Sequence, residues 1–356
     1  MPGPSSPSSV SPITAVLDDF VRDGRIRGGV LAMTNGDGTD QLHAFGTVHV
    51  GAQERPAWAT DRYLLTSITK TLTAMQVLRL VEDGLITLYT PLAELVPEFA
   101  ANGKQAVLVH HALTHTTGLD DTRANTAEGT ATGMKPTEHL AAACDAPLSD
   151  PPGSRVSYCS PPFWVLAEMV ERLTGMRYVE HLERTLAAPL GMVDTGYNPA
   201  SEPPSDLVDA HIGPTEHRHL AEQVRRLSYP AGGVLSTASD LLRYGRLLLR
   251  GGLSDDDSRV IAPATVAALS RPWTSGLPGE RTYEPCPWPT ERGLGWALGG
   301  PGDLPSRRTL WHSGGSGTAM WVDQDHDVVV VLLTATWFLD AAVFARIVNA
   351  AYRSRS

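Results

Sequence analysis

The sequence predicts an α/β protein of the α+β kind. One antiparallel sheet is built from both chain ends and flanked by helices, and a large helical segment is inserted between its halves. Three observations carry this. Strand-like runs cluster at residues 29–50 and again at 293–333. Between them, apolar residues recur mostly at helical spacing. At 356 residues the chain also exceeds a simple small domain, so two parts are expected. These are a sheet domain of residues 13–60 plus 290–356 and a mainly helical lobe of 61–289, with a disordered tail over 1–12 and the active site between the lobes.

Taken in order, residues 13–22 predict an amphipathic helix with Ile13, Val16, Leu17, Phe20 and Val21 on one face and Gly24 as its stop. Residues 29–34 read as a strand, 35–38 as a turn and 41–50 as the returning strand of a hairpin. Leu72, Met75, Leu78, Val81 and Leu85 then mark a helix that closes near Gly84. A short helix follows Pro91. Residues 107–113 are apolar, 120–135 a surface loop and 137–144 helical. A turn at 150–154 leads into a strong helix over 163–173, stopped by Gly175, and 178–186 is helical again. Residues 198–228 read as irregular. A Gly-rich turn at 230–237 offers Ser236 or Thr237 as cap for a helix over 240–249. Residues 251–258 are an acidic turn, 263–269 a short helix and 271–292 a long loop rich in Pro, Gly and Trp, of a length that is often functional. Strands are expected at 293–298, from Trp311 toward Val322, and at 328–333, with a closing helix over 341–352. No internal repeat is present.

Composition narrows the function. The net charge is −10, which argues against a nucleic-acid partner. Lys70, Lys104 and Lys135 are the only lysines. Cys144, Cys159 and Cys286 show neither metal nor redox spacing, so no disulfide framework is expected. No apolar run reaches the length of a membrane span. The first residues lack a basic and an apolar signal region. The simplest reading of these features is a cytoplasmic, soluble protein, with no membrane partner and no cofactor expected.

Three motifs carry chemistry. Ser67-Ile68-Thr69-Lys70 stands at a helix start, where residues three apart share a face. A hydroxyl beside an amine there is a workable nucleophile and base, and the helix end adds backbone N–H groups. Tyr158-Cys159-Ser160 follows a Pro-Gly turn at the mouth of a helix, so the phenol can reach a cleft and move a proton. His312-Ser313-Gly314-Gly315 is a strand of small residues that lets substrate lie along the backbone. Taken singly, each motif also fits a plainer account: a chance match on a helix, a half-buried core tyrosine, a strand with a glycine bulge.

Together, in this order, they resemble the serine acyl-enzyme superfamily of class C β-lactamases, D-alanyl-D-alanine carboxypeptidases and family VIII esterases. The S-x-x-K, Y-x-[NS] and [KH]-[ST]-G triplet is met by Ser67 and Lys70, by Tyr158 and Ser160, and by His312, Ser313 and Gly314. Leu113-Thr114-His115-Thr116-Thr117-Gly118, Pro189-Leu190-Gly191-Met192, Pro230-Ala231-Gly232-Gly233 and Gly293-Leu294-Gly295-Trp296 match its framework phrases. The resemblance spans residues 13–350 and implies a β-lactamase/penicillin-binding-protein-like fold. It also implies roles: Ser67 as nucleophile, Lys70 as its base alone or with Tyr158, and Tyr158 as proton donor to the leaving group. Ser160, His312 and Gly314 would contact substrate, and the N–H groups of Ser67 and Gly315 would form the oxyanion hole. The partners it implies are a small-molecule acyl donor and an amine or alcohol acceptor.

Two positions depart from the lactamase pattern. His312 replaces lysine and Ser160 replaces asparagine, which weakens the case for β-lactam hydrolysis and leans toward ester processing or acyl transfer. The resulting expectation is an intracellular esterase or a biosynthetic acyltransferase. A D-amino-acid peptidase or peptide-releasing cyclase is the alternative, and it needs a cation for the substrate carboxylate, for which Arg225, Arg226 and Arg292 are candidates. A non-catalytic binding relative is disfavoured by the intact Ser67, Lys70 and Tyr158. His111 with His115, and Glu216-His217-Arg218-His219, lack a complete ligand set, so no metal is expected. Trp273, Trp288 and Trp311 fit equally as walls of an acyl pocket or as loop anchors. Cys159 reads as a space filler.

Overall fold

The computed structural model describes residues 12–34, 39–124, 126–209, 215–279 and 290–353. The first eleven residues, the 35–38 turn and Trp288 lie outside them. Strands β1 (Gly28–Thr34), β2 (Asp40–Val50) and β3 (Gln53–Pro56) come from the start of the chain. Short strands β4 (Tyr63–Leu64), β5 (Gly196–Tyr197) and β6 (Val234–Ser236) lie mid-chain. Strands β7 (Thr290–Arg292), β8 (Ala297–Gly299), β9 (Leu310–Gly314), β10 (Thr318–Asp323) and β11 (Val328–Thr334) close it.

The first and last groups form one eight-stranded sheet in the order β3-β2-β1-β11-β10-β9-β8-β7. Its pairings are antiparallel, and the two chain ends meet where Val30 pairs with Leu333. Both central strands are buried at every position, as strands covered on two faces must be. Alternation then divides their side chains. Leu31, Met33, Trp321 and Val330 face α1 (Pro12–Arg22) and a C-terminal helix over 341–353, through Leu17, Phe20 and Ile347. Val30, Ala32, Val329 and Val331 belong to the larger core on the opposite face, which is shared with the mid-chain helices.

Those helices are α2 (Thr69–Glu82), α3 (Leu92–Leu95), α4 (Val109–Leu113), α5 (Thr126–Ala131), α6 (Pro136–Asp145), α7 (Pro161–Thr174), α8 (Tyr178–Leu182) and α9 (Thr215–Arg226). Helices α10 (Ala238–Leu249) and α11 (Pro263–Leu269) continue the series, and the C-terminal helix on the other face is α12 (Ala341–Arg353). Of the two candidate caps, Thr237 is the one used: its Oγ1 accepts from Asp240 N at 3.3 Å. Helix α7 ends on Gly175 in the left-handed conformation, which glycine adopts without penalty.

Several expectations need correction. The 120–135 loop contains α5, and the 198–228 stretch contains α9. Residues 293–296 form a turn, not a strand: Gly293 N donates to Trp296 O at 2.9 Å and Gly295 has φ +77°. The strand from Trp311 toward Val322 is two antiparallel strands, because residues 314–317 reverse the chain and Gly317 N bonds Gly314 O at 3.0 Å.

Candidate active site

Ser67 occupies a single 3₁₀ turn, Thr66–Ile68, that runs directly into α2. The preceding Thr66 has φ +45°. A threonine in that region carries strain of about 1–2 kcal/mol, so the surroundings must hold it there. Hydroxyls do so. Thr66 Oγ1 donates to Leu65 O at 2.8 Å, Thr318 Oγ1 donates to the same carbonyl at 2.8 Å, and Ser316 Oγ donates to Leu64 O at 2.7 Å. Gly314 is buried against this turn, and a Cβ there would overlap Leu65 O and the Thr66 and Thr318 hydroxyls. The β9–β10 reversal is thereby fixed onto the serine turn.

Lys70 lies one helical turn after Ser67 and is 1% exposed. Its Nζ donates to Ser67 Oγ at 3.1 Å and to Ala231 O at 3.2 Å. The Gly-rich segment around Ala231 is tied to α2 by Thr73 Oγ1 donating to Pro230 O, 2.7 Å, and Val234 N donating to Thr69 Oγ1, 3.2 Å. The framework phrase 230–233 thus aims a carbonyl at the lysine.

Tyr158 enters from the segment before α7. Lys70 Nζ is 4.8 Å from its ring centroid and 5.5 Å from that of Phe163. His115 packs on the tyrosine at 4.4 Å between ring centroids. Ser157 N donates to His115 O at 2.8 Å, and Cys159 N donates to His115 Nδ1 at 3.4 Å. His115 therefore braces Tyr158 from both sides, and burial holds its pKa well below the usual imidazole range. Ser160 stands immediately before α7 and donates its N–H to Asp121 Oδ1 at 2.9 Å. Cys159 is fully buried, and burial pushes its thiol well up, which leaves it inert.

His312 completes the group, 6.1 Å from Tyr158 between ring centroids. Burial first, then the Lys70 and Arg292 charges, lower its pKa to about 3. It is a neutral imidazole at physiological pH. Its Nδ1 lies 2.8 Å from Ser313 O and donates to it, so Nε2 carries the lone pair. Nε2 is buried with no hydrogen-bond partner among the described residues. Arg292, 7% exposed, puts its guanidinium carbon 5.4 Å from the Tyr158 centroid. Ser67, Tyr158, Ser160 and Gly315 are half-buried.

Of the three candidate cations, Arg292 is in this group. Arg225 instead clamps the 198–201 segment, donating to Asn198 O at 2.9 Å and Ala200 O at 2.8 Å. Trp273 stacks on His110 at 5.5 Å and anchors a loop. Among the described residues no cluster of three or more His, Cys, Asp or Glu could hold a metal, and no helix is long and apolar enough to cross a membrane. Sequence reasoning missed Thr66 and Ser316, and it treated His115 as framework only. The one available signal was the density of hydroxyls flanking Ser67 and Gly314.

This sheet, with a serine and a lysine paired at the head of α2, defines an enzyme of the serine hydrolase and acyltransferase class. The chain belongs to the Beta-lactamase family, whose model matches residues 13–352. It is 30% identical over 307 residues to penicillin-binding protein 4 of Amycolatopsis lactamdurans, covering 84% of this chain and 78% of that protein. It is 29% identical to esterase EstB of Burkholderia gladioli, covering 91% and 90%. EstCE1, a hydrolase with promiscuous acyltransferase activity, shares the fold with a TM-score of 0.74 at 21% identity, over 96% of this chain and 97% of that one.

Proposed function

We propose that this protein transfers an acyl group from an ester or amide donor through a covalent acyl-Ser67 intermediate, as an esterase or a small-molecule acyltransferase. The observation that carries the reading is the 3.1 Å contact between Lys70 Nζ and Ser67 Oγ, with the Tyr158 ring against the same amine. Ser67 Oγ attacks the carbonyl carbon while its proton passes to Lys70 as the neutral amine, or to Tyr158 as the phenolate with the Lys70 ammonium giving up one proton as it takes the serine's. The carbonyl oxygen gains charge and is held by the N–H groups of Ser67 and Gly315. Tyr158 returns the proton to the leaving oxygen or nitrogen as its bond to carbon breaks. Water, an alcohol or an amine then repeats the sequence in reverse.

The esterase side is supported by the resemblance to EstB over nearly the whole chain and by the neutral His312, which places no cation where a lactamase-type lysine would stand. Ser67→Ala tests the reading. It should abolish turnover of a short-chain p-nitrophenyl ester with folding intact, and intact mass spectrometry of the native enzyme should show one acyl adduct that the variant lacks. Full activity in the variant would remove Ser67 as nucleophile.

A second reading has one observation in its favour. Arg292 provides a buried guanidinium beside Tyr158, which suits the carboxylate of a D-amino-acid peptide. Hydrolysis of a D-alanyl-D-alanine peptide that Arg292→Gln abolishes, with p-nitrophenyl ester turnover retained, would favour it over the esterase reading.

A further inference from the structure

Tyr229 stands in the wall of the active site, although no step of acyl transfer uses it. Gly232 N and Gly233 N donate to its carbonyl at 2.9 and 2.7 Å, so it belongs to the same glycine-rich segment that aims Ala231 O at Lys70. Its ring stands edge-on to Trp164, 5.2 Å between centroids at 69°, and to His139, 5.9 Å at 64°. Trp164 lies four residues after Ser160, and residues four apart share a helix face. Packing on Trp164 therefore carries the phenol to the head of α7, where Ser160 stands. Ser160 and Tyr158 are half-buried on either side of the buried Cys159, so both face the cleft.

Tyr229 is 6% exposed. Burial first, then the Asp121 charge, holds its pKa well above the ordinary phenol value, and the Ser160 side chain acts on it by hydrogen bonding. It is a protonated donor at physiological pH. The bond is not fully formed, for Tyr229 Oη is buried and meets no partner at bonding geometry among the described residues. A buried hydroxyl left unsatisfied is costly, and a small turn of the Ser160 side chain removes the cost. A phenol donates a single proton. Once the Tyr229 O–H points at Ser160 Oγ, the serine's own O–H is turned away from it, into the cleft.

We infer that Tyr229 is a positioning residue for the acyl donor: its phenol orients the Ser160 hydroxyl as a donor to a neutral oxygen on the acyl chain, an ether, hydroxyl or carbonyl close to the reacting carbon. The inference rests on the acyl-Ser67 reading above. In that geometry the carbonyl oxygen points to the Ser67 and Gly315 N–H groups, and the leaving atom faces the Tyr158 phenol. The acyl chain takes the remaining direction, away from the β9–β10 reversal and toward the glycine-rich segment. A Cβ on Gly232 would lie 3.2 Å from Tyr229 Cδ1 and 3.7 Å from Thr66 Cα, so the Tyr229 ring and the serine turn flank one glycine. The Asp121 carboxylate accepts the Ser160 N–H at 2.9 Å. Its charge disfavours an anionic substituent beside Ser160 and leaves a neutral oxygen as the fitting partner.

Two p-nitrophenyl esters of matched shape make the test: methoxyacetate and butyrate, whose acyl chains differ by an oxygen in place of a methylene. Comparing the ratio of their kcat/KM values between native enzyme and variant cancels the intrinsic reactivity of each ester. Tyr229→Phe keeps the ring against Trp164 and should lower the methoxyacetate-to-butyrate ratio by about tenfold, the loss of one oriented hydrogen bond. Ser160→Ala removes the donor itself and should lower the ratio by the same factor. The double variant should lose no more than either alone, because the two hydroxyls act as one unit. A purely structural role would reduce both esters alike. An unchanged ratio in Tyr229→Phe, an equal fall for both esters, or additive losses in the double variant would overturn the inference. Intact mass spectrometry scores the acyl-enzyme reading separately. No adduct on the native protein with either ester would remove both readings, whereas an adduct with an unchanged ratio strikes only the role of Tyr229.

Discussion

The Thr66 and Ser316 hydroxyl oxygens lie 3.1 Å apart although 250 residues separate them in the chain. Ser316 N also donates to Thr66 Oγ1 at 3.3 Å. This pair couples the turn bearing Ser67 to the reversal bearing Gly315, so the spacing of the two N–H groups proposed to bind the oxyanion depends on it. Ser316→Ala should cost about 1 kcal/mol in urea unfolding, the net worth of one such bond. It should also lower kcat by about tenfold, with KM little changed, because small misplacements of catalytic groups are expensive. An Ala variant with native kcat would show that the turn holds its shape without the bridge.

Lys70 and Tyr158 should fail in distinguishable ways. Lys70→Arg keeps the charge but cannot place a compact amine between Ser67 Oγ and Ala231 O. Its acylation burst should slow by about 10²–10⁴-fold, the usual range for a positioned base. Tyr158→Phe keeps the ring against His115 and should retain the native melting temperature while losing steady-state turnover by a similar factor of about 10²–10⁴. Rapid-quench measurement of the burst separates the two; a native burst in Lys70→Arg would exclude the lysine as base.

His312 is kept neutral by burial and by the Lys70 and Arg292 charges. His312→Gln preserves a neutral acceptor and should leave kcat/KM for a neutral ester within about tenfold, a loss of the order of one hydrogen bond. His312→Lys would add a third cation to a buried group and should destabilise the fold by about 3–5 kcal/mol. Higher stability in the Lys variant would mean that the site accommodates positive charge at that position.

Acid should weaken the protein through its buried histidines. Burial, the leading cause in each case, lowers His111 and His139 to about 4 and His312 to about 3, and holds His115 well below its ordinary value. Unfolded, each takes up a proton below about pH 6.5. The unfolded state therefore binds more protons between about pH 6.5 and 4, and stability falls as pH drops through that window. His139, stacked on Trp164 at 5.1 Å, should contribute to that loss between neutrality and pH 4. Urea titrations at pH 7 and pH 4.5 should differ accordingly, and His139→Gln should flatten the slope. A flat profile in the native protein would mean that these rings are hydrated.

The parts of this molecule with a repeating signal were legible in the sequence. The valine run at 328–333 and the apolar run at 29–34, with a turn signal and a returning strand after it, announced the sheet, and the three-residue spacing of Ser67 and Lys70 announced one helix face. Helix α9 was hidden because its polar first turn and the prolines before it resemble a loop. The reversal at 314–317 was hidden because a glycine-serine run satisfies both an extended strand and a turn. The Thr66–Ser316 bridge has no periodicity, and neither hydroxyl has meaning until tertiary folding brings them together. Arg292 stood at the end of a loop-like stretch, and only its packing beside Tyr158 separated it from Arg225.

The pairing of Val30 with Leu333 sets an order of events during synthesis. A nascent chain leaves the ribosome with its first hairpin complete but without the neighbour that must cover that hairpin's inner edge. The exposed edge has to be shielded, by early helices or a chaperone, until the last strands emerge. Gly315 arrives with those strands, so the backbone N–H proposed to bind the oxyanion joins Ser67 only after the two ends of the sheet have paired.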